Sequence, residues 1–195
     1  MPKKVPTNYC IHCTLPTSYC VCAISPSIKL PENCSILFHP RELARRNSTG
    51  RLLKMCTNIQ SIPWHRLDNE KLEARFKNHY LIYPQESSNL PSIEPDKDEN
   101  TNTGGFLWID STWQESHKML RQSPWLKNMR KYSIKDTQST YKLRRNQTQN
   151  GLSTLESLAY WLNEQNRSNQ SKELLQFFQI FQEAFLHARQ AGLLK

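Results

Sequence analysis

The sequence predicts an α/β domain with a mainly parallel sheet, preceded by a small zinc knuckle, and three observations carry that prediction. Short apolar runs, among them Phe106-Leu107-Trp108-Ile109 and His79-Tyr80-Leu81-Ile82-Tyr83-Pro84, alternate with segments of helical spacing, which is the pattern of βαβ units. A carboxylate, Asp110, stands directly behind the first of those runs, at the kind of strand end where open α/β sheets place their ligands. Four cysteines crowd into Cys10-x2-Cys13-x6-Cys20-x-Cys22, a spacing that suits a metal better than a core.

Composition bounds the rest. A chain of 195 residues with 37% hydrophobic content fits one domain of ordinary size with a small appendage and leaves no room for a large second domain. Lys and Arg number 26 against 17 Asp and Glu, a formal charge of +9, which points to a polyanionic partner, with a merely soluble basic surface as the alternative. No stretch approaches the roughly 18 uninterrupted apolar residues that span a bilayer. Met1-Pro2-Lys3-Lys4 is not followed by an apolar signal core, so a cytoplasmic protein without a membrane partner is expected. In that reducing compartment the clustered cysteines are not expected to be disulfides.

Residues 1–30 therefore read as a four-cysteine zinc-binding segment and residues 31–195 as the α/β domain. Cys10, Cys13, Cys20 and Cys22 form two close pairs joined by a short loop, so four soft ligands meet at little entropic cost. Such a site is closed to water and structural, which argues against zinc-dependent hydrolysis or deamination. His12 reads as a surface residue, and Cys34 and Cys56, lacking close partners, as buried small hydrophobes.

Asn33 to Phe38 reads as a first strand ending at His39-Pro40. Glu42 to about Lys54 reads as a helix weakened at Gly50, with Arg41, Arg45, Arg46, Arg51 and Lys54 on one charged face. Ser61 to Trp64 is at most a short edge strand, Asn69 to Lys77 is helical, and His79 to Pro84 is a buried strand. Residues 85–103 turn to Ser, Asn, Pro, Asp and Glu, too polar to bury a core, and read as a mobile loop. Gly104-Gly105 leads into the strand before Asp110, and Ser111 and Thr112 cap a helix from about Trp113 to Arg121. Tyr132 to Ile134 reads as a further strand.

Ser153 to about Gln165 is an amphipathic helix with Leu155, Leu158, Ala159 and Leu162 on one face and a Ser153-x-x-Glu156 capping box. A polar break at Asn166 to Ser171 precedes a last helix over 172–191, whose Leu174, Leu175, Phe178, Phe181, Phe185 and Leu186 form a stripe that is either core or a dimer face. The oligomeric state stays open.

Asp110-Ser111-Thr112-Trp113 does not stand alone. Upstream lie the cysteine cluster, Phe38-His39-Pro40-Arg41-Glu42 and Asn47-Ser48-Thr49-Gly50-Arg51-Leu52-Leu53. Downstream lie Ser139-x-Tyr141-x-Leu143-Arg144 and Leu152-Ser153-Thr154-Leu155-Glu156. In that order and at those separations the set resembles the DTW-domain family, the tRNA-uridine aminocarboxypropyltransferases, from about Cys10 to the end of the Leu155 helix.

The resemblance implies a SPOUT-like, knotted sheet that binds S-adenosylmethionine, and a transfer of its 3-amino-3-carboxypropyl (acp) group to N3 of a uridine in tRNA. N3 keeps its proton at neutral pH, so the reaction needs a base. Asp110 suits that role, since partial burial beside Trp108 and Trp113 raises a carboxyl pKa; its plainer role is helix capping. Thr112 would orient it, and Trp113 would wall the pocket or stack on a base, or simply pack. The cofactor positions are Thr49, Gly50 and Arg51; Tyr83 and Pro84; Leu107, Ile109 and Asp110; Tyr141, Leu143 and Arg144; and Leu152, Ser153 and Thr154, with Arg51 or Arg144 as the cation for a carboxylate. Arg41, Arg45, Arg46, Lys54, Lys142 and Arg145 would meet tRNA phosphate, with Lys127, Arg130 and Lys131 as a further patch. Two other readings stand beside this one: a methyltransferase on RNA using the same cofactor, and an inert zinc-stapled RNA-binding module in which Asp110 and Glu156 are only caps.

Overall fold

The computed structural model describes residues 8–84, 104–134, 138–143 and 151–194; the segment 85–103, Arg144 and Arg145 lie outside them. Two compact units make up the chain, one of Leu30–Ala44 and Asn58–Asp136, the other of Met1–Lys29, Arg45–Thr57 and Thr137–Lys195.

The first unit holds one sheet of five strands: β1 (Cys34–Phe38), β2 (Gln60–Pro63), β3 (His79–Ile82), β4 (Gly105–Asp110) and β5 (Arg130–Tyr132), in the spatial order β2-β1-β4-β3-β5. Every pairing is parallel, in keeping with short apolar strands and with the helices that follow β1, β2 and β4. The chain leaves β1 for β2 on one side and resumes beyond β4 on the other, so the β1/β4 pair is where its direction reverses. Ligands of open α/β sheets sit outside the carboxyl ends of strands at such a place. Register puts Phe38 opposite Asp110 there.

Strand alternation sends Leu37, Ile62, Leu81 and Leu107 to one face, where they pack with Leu72 and Phe76 of α2 (Asn69–Phe76), Met119 of α3 (Trp113–Gln122) and Trp125 and Leu126 of α4 (Pro124–Asn128). Asn69 is the polar node of this layer: its Oδ1 accepts from Ser123 Oγ at 2.8 Å and Trp125 Nε1 at 3.0 Å. Gly105 opens β4 at φ +140, where a Cβ would lie 2.1 Å from the Asn33 carbonyl oxygen, so only glycine fits.

The second unit holds the cysteine knuckle and three helices, α1 (Thr49–Cys56), α5 (Thr154–Glu164) and α6 (Ser168–Gln190), with α5 packed on α6 and α1 on α5. Leu155, Leu158, Ala159 and Leu162 of α5 are buried, as are Leu174, Phe178, Phe181 and Phe185 of α6. The α6 stripe is therefore core within one chain.

Three expectations need correction. The helix expected from Glu42 to Lys54 is a short 3-10 turn at Glu42–Ala44 and a separate α1, because the Ser48 side chain accepts the Arg51 amide at 3.3 Å and starts a new helix there. Arg41, Arg45 and Arg46 thus precede α1 and share no helix face with Arg51 and Lys54. The strand expected at Tyr132 to Ile134 lies earlier, at Arg130–Tyr132, set by pairing with β3. The polar break before the last helix is shorter than expected, with α6 beginning at Ser168, since serine and asparagine are tolerated in a first helical turn. No helix among the described residues is long and apolar enough to cross a membrane.

Candidate active site and metal centre

In the sheet unit, Asp110 is the last residue of β4 and is only 3% exposed. Beside it, the first residue after β1 donates backbone to backbone, His39 N to Asp110 O at 3.0 Å. Thr112 is the N-cap of α3 in a full capping box. Its hydroxyl accepts the Glu115 amide at 3.3 Å, and Glu115 Oε2 accepts from the Thr112 amide at 3.0 Å and hydroxyl at 2.9 Å.

Glu115 is itself buried, and its other oxygen, Oε1, lies 3.6 Å from His39 Nδ1 and 4.0 Å from Arg41 Nη1. The Arg41 side chain is 76% exposed, so a buried carboxylate anchors a cation that faces solvent. His39 Nδ1 also accepts the Arg41 amide at 3.3 Å, and the imidazole stacks on Trp64 with centroids 5.8 Å apart. Accepting that amide and donating to Glu115 require opposite protonation of Nδ1; the shorter contact favours the lone pair, leaving the carboxylate as a close neighbour.

Trp113 meets Tyr83 edge to face at 5.8 Å, and its buried indole Nε1 has no hydrogen-bond partner among the described residues. Ser116 Oγ donates to the Trp113 carbonyl at 2.9 Å and lies 3.2 Å from the Tyr83 hydroxyl. Pro84 is exposed behind β3, Ile109 is half-buried, and Leu107 is fully buried in the helix-covered layer with its backbone paired between β1 and β3.

In the second unit, Thr49 and Gly50 are buried in the first turn of α1 and Arg51 is half-buried. The Tyr141 hydroxyl donates to the Asn47 carbonyl at 3.0 Å, and its ring packs on Phe178 at 5.4 Å. The segment carrying Tyr141 is pinned by Glu156, which is fully buried. Glu156 Oε1 accepts the Thr140 amide at 2.6 Å, and Oε2 accepts the Ser153 amide at 2.8 Å and the Ser139 hydroxyl at 2.9 Å. Gln182 Oε1 adds a bond from the Lys142 amide at 2.6 Å. Tyr141 and Ser153 are therefore tied to the starts of α1 and α5 through Asn47 and Glu156, with Thr49 and Gly50 following Asn47 in the chain.

Of the basic positions, Arg41, Lys54 and Lys142 are exposed and Arg45 is half-buried, while the Arg46 guanidinium lies over the Tyr9 ring at 3.8 Å. Sequence reasoning passed over Glu115 and His39 and saw only a cap in Glu156. The Thr112-x-x-Glu115 spacing was the available signal for one; nothing local marks the long-range bonds of the others.

The four knuckle thiols have their sulfurs within 4.8 Å of one another, with Cys10 and Cys22 at 3.5 Å and Cys13 and Cys20 at 3.7 Å. A tetrahedral zinc with Zn–S bonds of about 2.3 Å has sulfur–sulfur edges of about 3.8 Å, so the donor set fits the ion. Burial acts to raise the Cys10 thiol, but amides of Cys13 and His12 and the neighbouring thiols outweigh it and bring it down to about 6. Burial pushes Cys13 and Cys22 up. A bound zinc ion would take all four as thiolates, displacing their protons.

The family model of the DTW domain matches residues 7–186. No solved structure matches the chain.

Proposed function

We propose, since the chain belongs to the DTW-domain family, the family of tRNA-uridine aminocarboxypropyltransferases, that its tRNA-modifying function is the transfer of the acp group of S-adenosylmethionine to N3 of a uridine. The observation that carries this reading is Asp110, a buried carboxylate at the carboxyl end of β4, where β1 and β4 part. Inert RNA binding gives that carboxylate less to do.

On this reading uridine N3 attacks the acp carbon bound to the sulfonium. The N–C bond forms as the C–S bond breaks, the electron pair stays on sulfur, and methylthioadenosine leaves neutral. The N3 proton passes to Asp110. Thr112, fixed at the α3 N-cap by Glu115, would hold the approach to Asp110, and Trp113 and Tyr83 offer aromatic faces on which a splayed base stacks. Thr49, Gly50, Arg51, Tyr141, Leu143, Leu152, Ser153 and Thr154 are the proposed cofactor contacts, with Arg144 beside them in sequence. Arg51 would pair the acp carboxylate. Arg41, Arg45, Lys54, Lys142 and Arg145 would take phosphate. Zinc held by Cys10, Cys13, Cys20 and Cys22 supplies folding energy to the N-terminal segment and no chemistry. A SPOUT-like knotted sheet and a cytoplasmic location complete the proposal.

The test is incubation with unmodified tRNA and S-adenosylmethionine labelled separately in its carboxyl and methyl carbons, followed by nucleoside mass analysis. Carboxyl label recovered as an acp-uridine supports the reading. Methyl label in RNA replaces it with methyl transfer, no label with S-adenosylmethionine still bound points to another substrate, and no label with no cofactor binding replaces it with the inert module.

A further inference from the structure

Thr14 follows the first cysteine pair and has φ +63, one of two non-glycine residues with positive φ among those described. The other, Asn166, is of a type that visits this region readily; a β-branched residue does so only against strain. The turn demands the conformation, since the Thr14 amide closes the knuckle onto the Cys10 carbonyl at 3.0 Å. Glycine would meet that demand without strain. A threonine held there needs a compensating contact, and its hydroxyl has two acceptors in reach: its neighbour Cys13 O at 2.6 Å and, far along the chain, Arg46 O at 2.8 Å.

Arg46 is doubly held, because its guanidinium also covers Tyr9, and Tyr9 is bridged to Pro16 within the same knuckle. At the other end of α1, Cys22 Sγ lies 3.6 Å from Met55 Sδ, and the Ile28 amide donates to Cys56 O at 2.8 Å. The knuckle thus grips the helix carrying Thr49, Gly50 and Arg51 at both ends, and Thr14 is the grip on the side of the Asn47–Gly50 turn.

We propose that Thr14 is a positioning residue that couples the four-cysteine knuckle to the Asn47–Arg51 turn, holding that turn in its binding conformation. The effect on cofactor affinity rests on the reading that this turn contacts S-adenosylmethionine; the coupling itself does not. The knuckle would reach the turn through this hydroxyl, which a glycine at the same position lacks.

The experiment uses the full zinc-loaded chain and the variants Thr14→Gly and Thr14→Ser. Zinc content is read by elemental analysis, amide exchange over residues 45–51 by mass spectrometry, and S-adenosylmethionine affinity by calorimetry. Thr14→Gly keeps all four thiols and relieves the strain, so zinc content should be unchanged while exchange over 45–51 rises about fivefold, the loss of one ordinary hydrogen bond. Thr14→Ser keeps the hydroxyl and should exchange as the parent does. Unchanged exchange in Thr14→Gly overturns the coupling, as does equal acceleration in both variants. Faster exchange in Thr14→Gly alone, with cofactor affinity unmoved, upholds the coupling and sinks the cofactor reading of the turn.

Discussion

The His39 amide donates to the Asp110 carbonyl at 3.0 Å, carrying the β1/β4 ladder one residue past Phe38 and Asp110, the last paired positions. That bond fixes the Asp110 backbone at the lip of the sheet, while the Thr112 cap fixes the chain two residues on. On the proposed reading, a carboxylate that is 3% exposed and whose backbone is fixed from both sides would serve as a pre-organised base. Asp110→Asn keeps the shape and removes the basicity, so acp transfer should fall by at least about 100-fold, with S-adenosylmethionine affinity within a few-fold of the parent. Transfer at near-parental rate would remove Asp110 from the proton step.

Glu115 supports that lip. Glu115→Ala leaves the Thr112 amide without its acceptor and Arg41 without its buried counter-charge, and should cost about 1–3 kcal/mol in urea unfolding. The companion Arg41→Ala, which removes only an exposed partner, should cost under about 1 kcal/mol. Equal costs would mean that the capping bonds add nothing.

The sheet was legible because its signals are local. Short apolar runs bounded by glycine, proline or aspartate do not fit a helix, and three of the strands, β1, β3 and β4, lie where such runs stand. The helix starts at Thr112 and Ser153 were legible for the same reason, each being a cap residue ahead of a helical run, with Glu156 completing the box at Ser153. The Glu42 to Lys54 stretch misled because periodicity continues across Asn47-Ser48, and a cap inside a periodic run is easily overlooked. Strand order, the meeting of His39 with Glu115, and the hub at Glu156 depend on register between distant segments, about which spacing along the chain is silent.

Glu156 lets that hub be tested. Both carboxylate oxygens accept backbone amides, Oε1 from Thr140 and Oε2 from Ser153. A glutamine has an NH2 in place of one oxygen and would aim a donor at a donor whichever way it is turned. Glu156→Gln, conservative by shape, should therefore cost about 2–3 kcal/mol in chemical denaturation and weaken S-adenosylmethionine binding with it. A loss below about 0.5 kcal/mol would show that the segment 139–143 is held by other means.

His79 gives the stability a pH signature. Burial, then the nearby Arg75 charge, lowers its pKa from the ordinary value of 6.5, and its Nδ1 is buried with no hydrogen-bond partner among the described residues. A histidine with a lowered folded pKa binds its proton more readily in the unfolded chain, so stability is full above about 6.5 and is lost as pH falls through the window beneath it. Unfolding free energies measured from about one unit above the ordinary value of 6.5 downward should fall more steeply for the parent than for His79→Gln. Parallel curves would mean that His79 is accessible enough to titrate normally.

The basic residues separate by what already occupies them. Lys54 is exposed near the end of α1 and Arg41 is exposed beyond β1, so replacing either by alanine should lower tRNA affinity at low salt and reduce the slope of log K against log salt by about one. Arg46 has its guanidinium on Tyr9 and its carbonyl on Thr14. Arg46→Ala should leave the salt slope nearly unchanged while lowering stability by about 0.5–1 kcal/mol, the scale of a partly exposed cation–π contact. Titration of tRNA binding at several salt concentrations, with thermal unfolding of the same samples, distinguishes a phosphate ligand from a strut. A full unit lost from the Arg46→Ala slope would place that guanidinium on RNA.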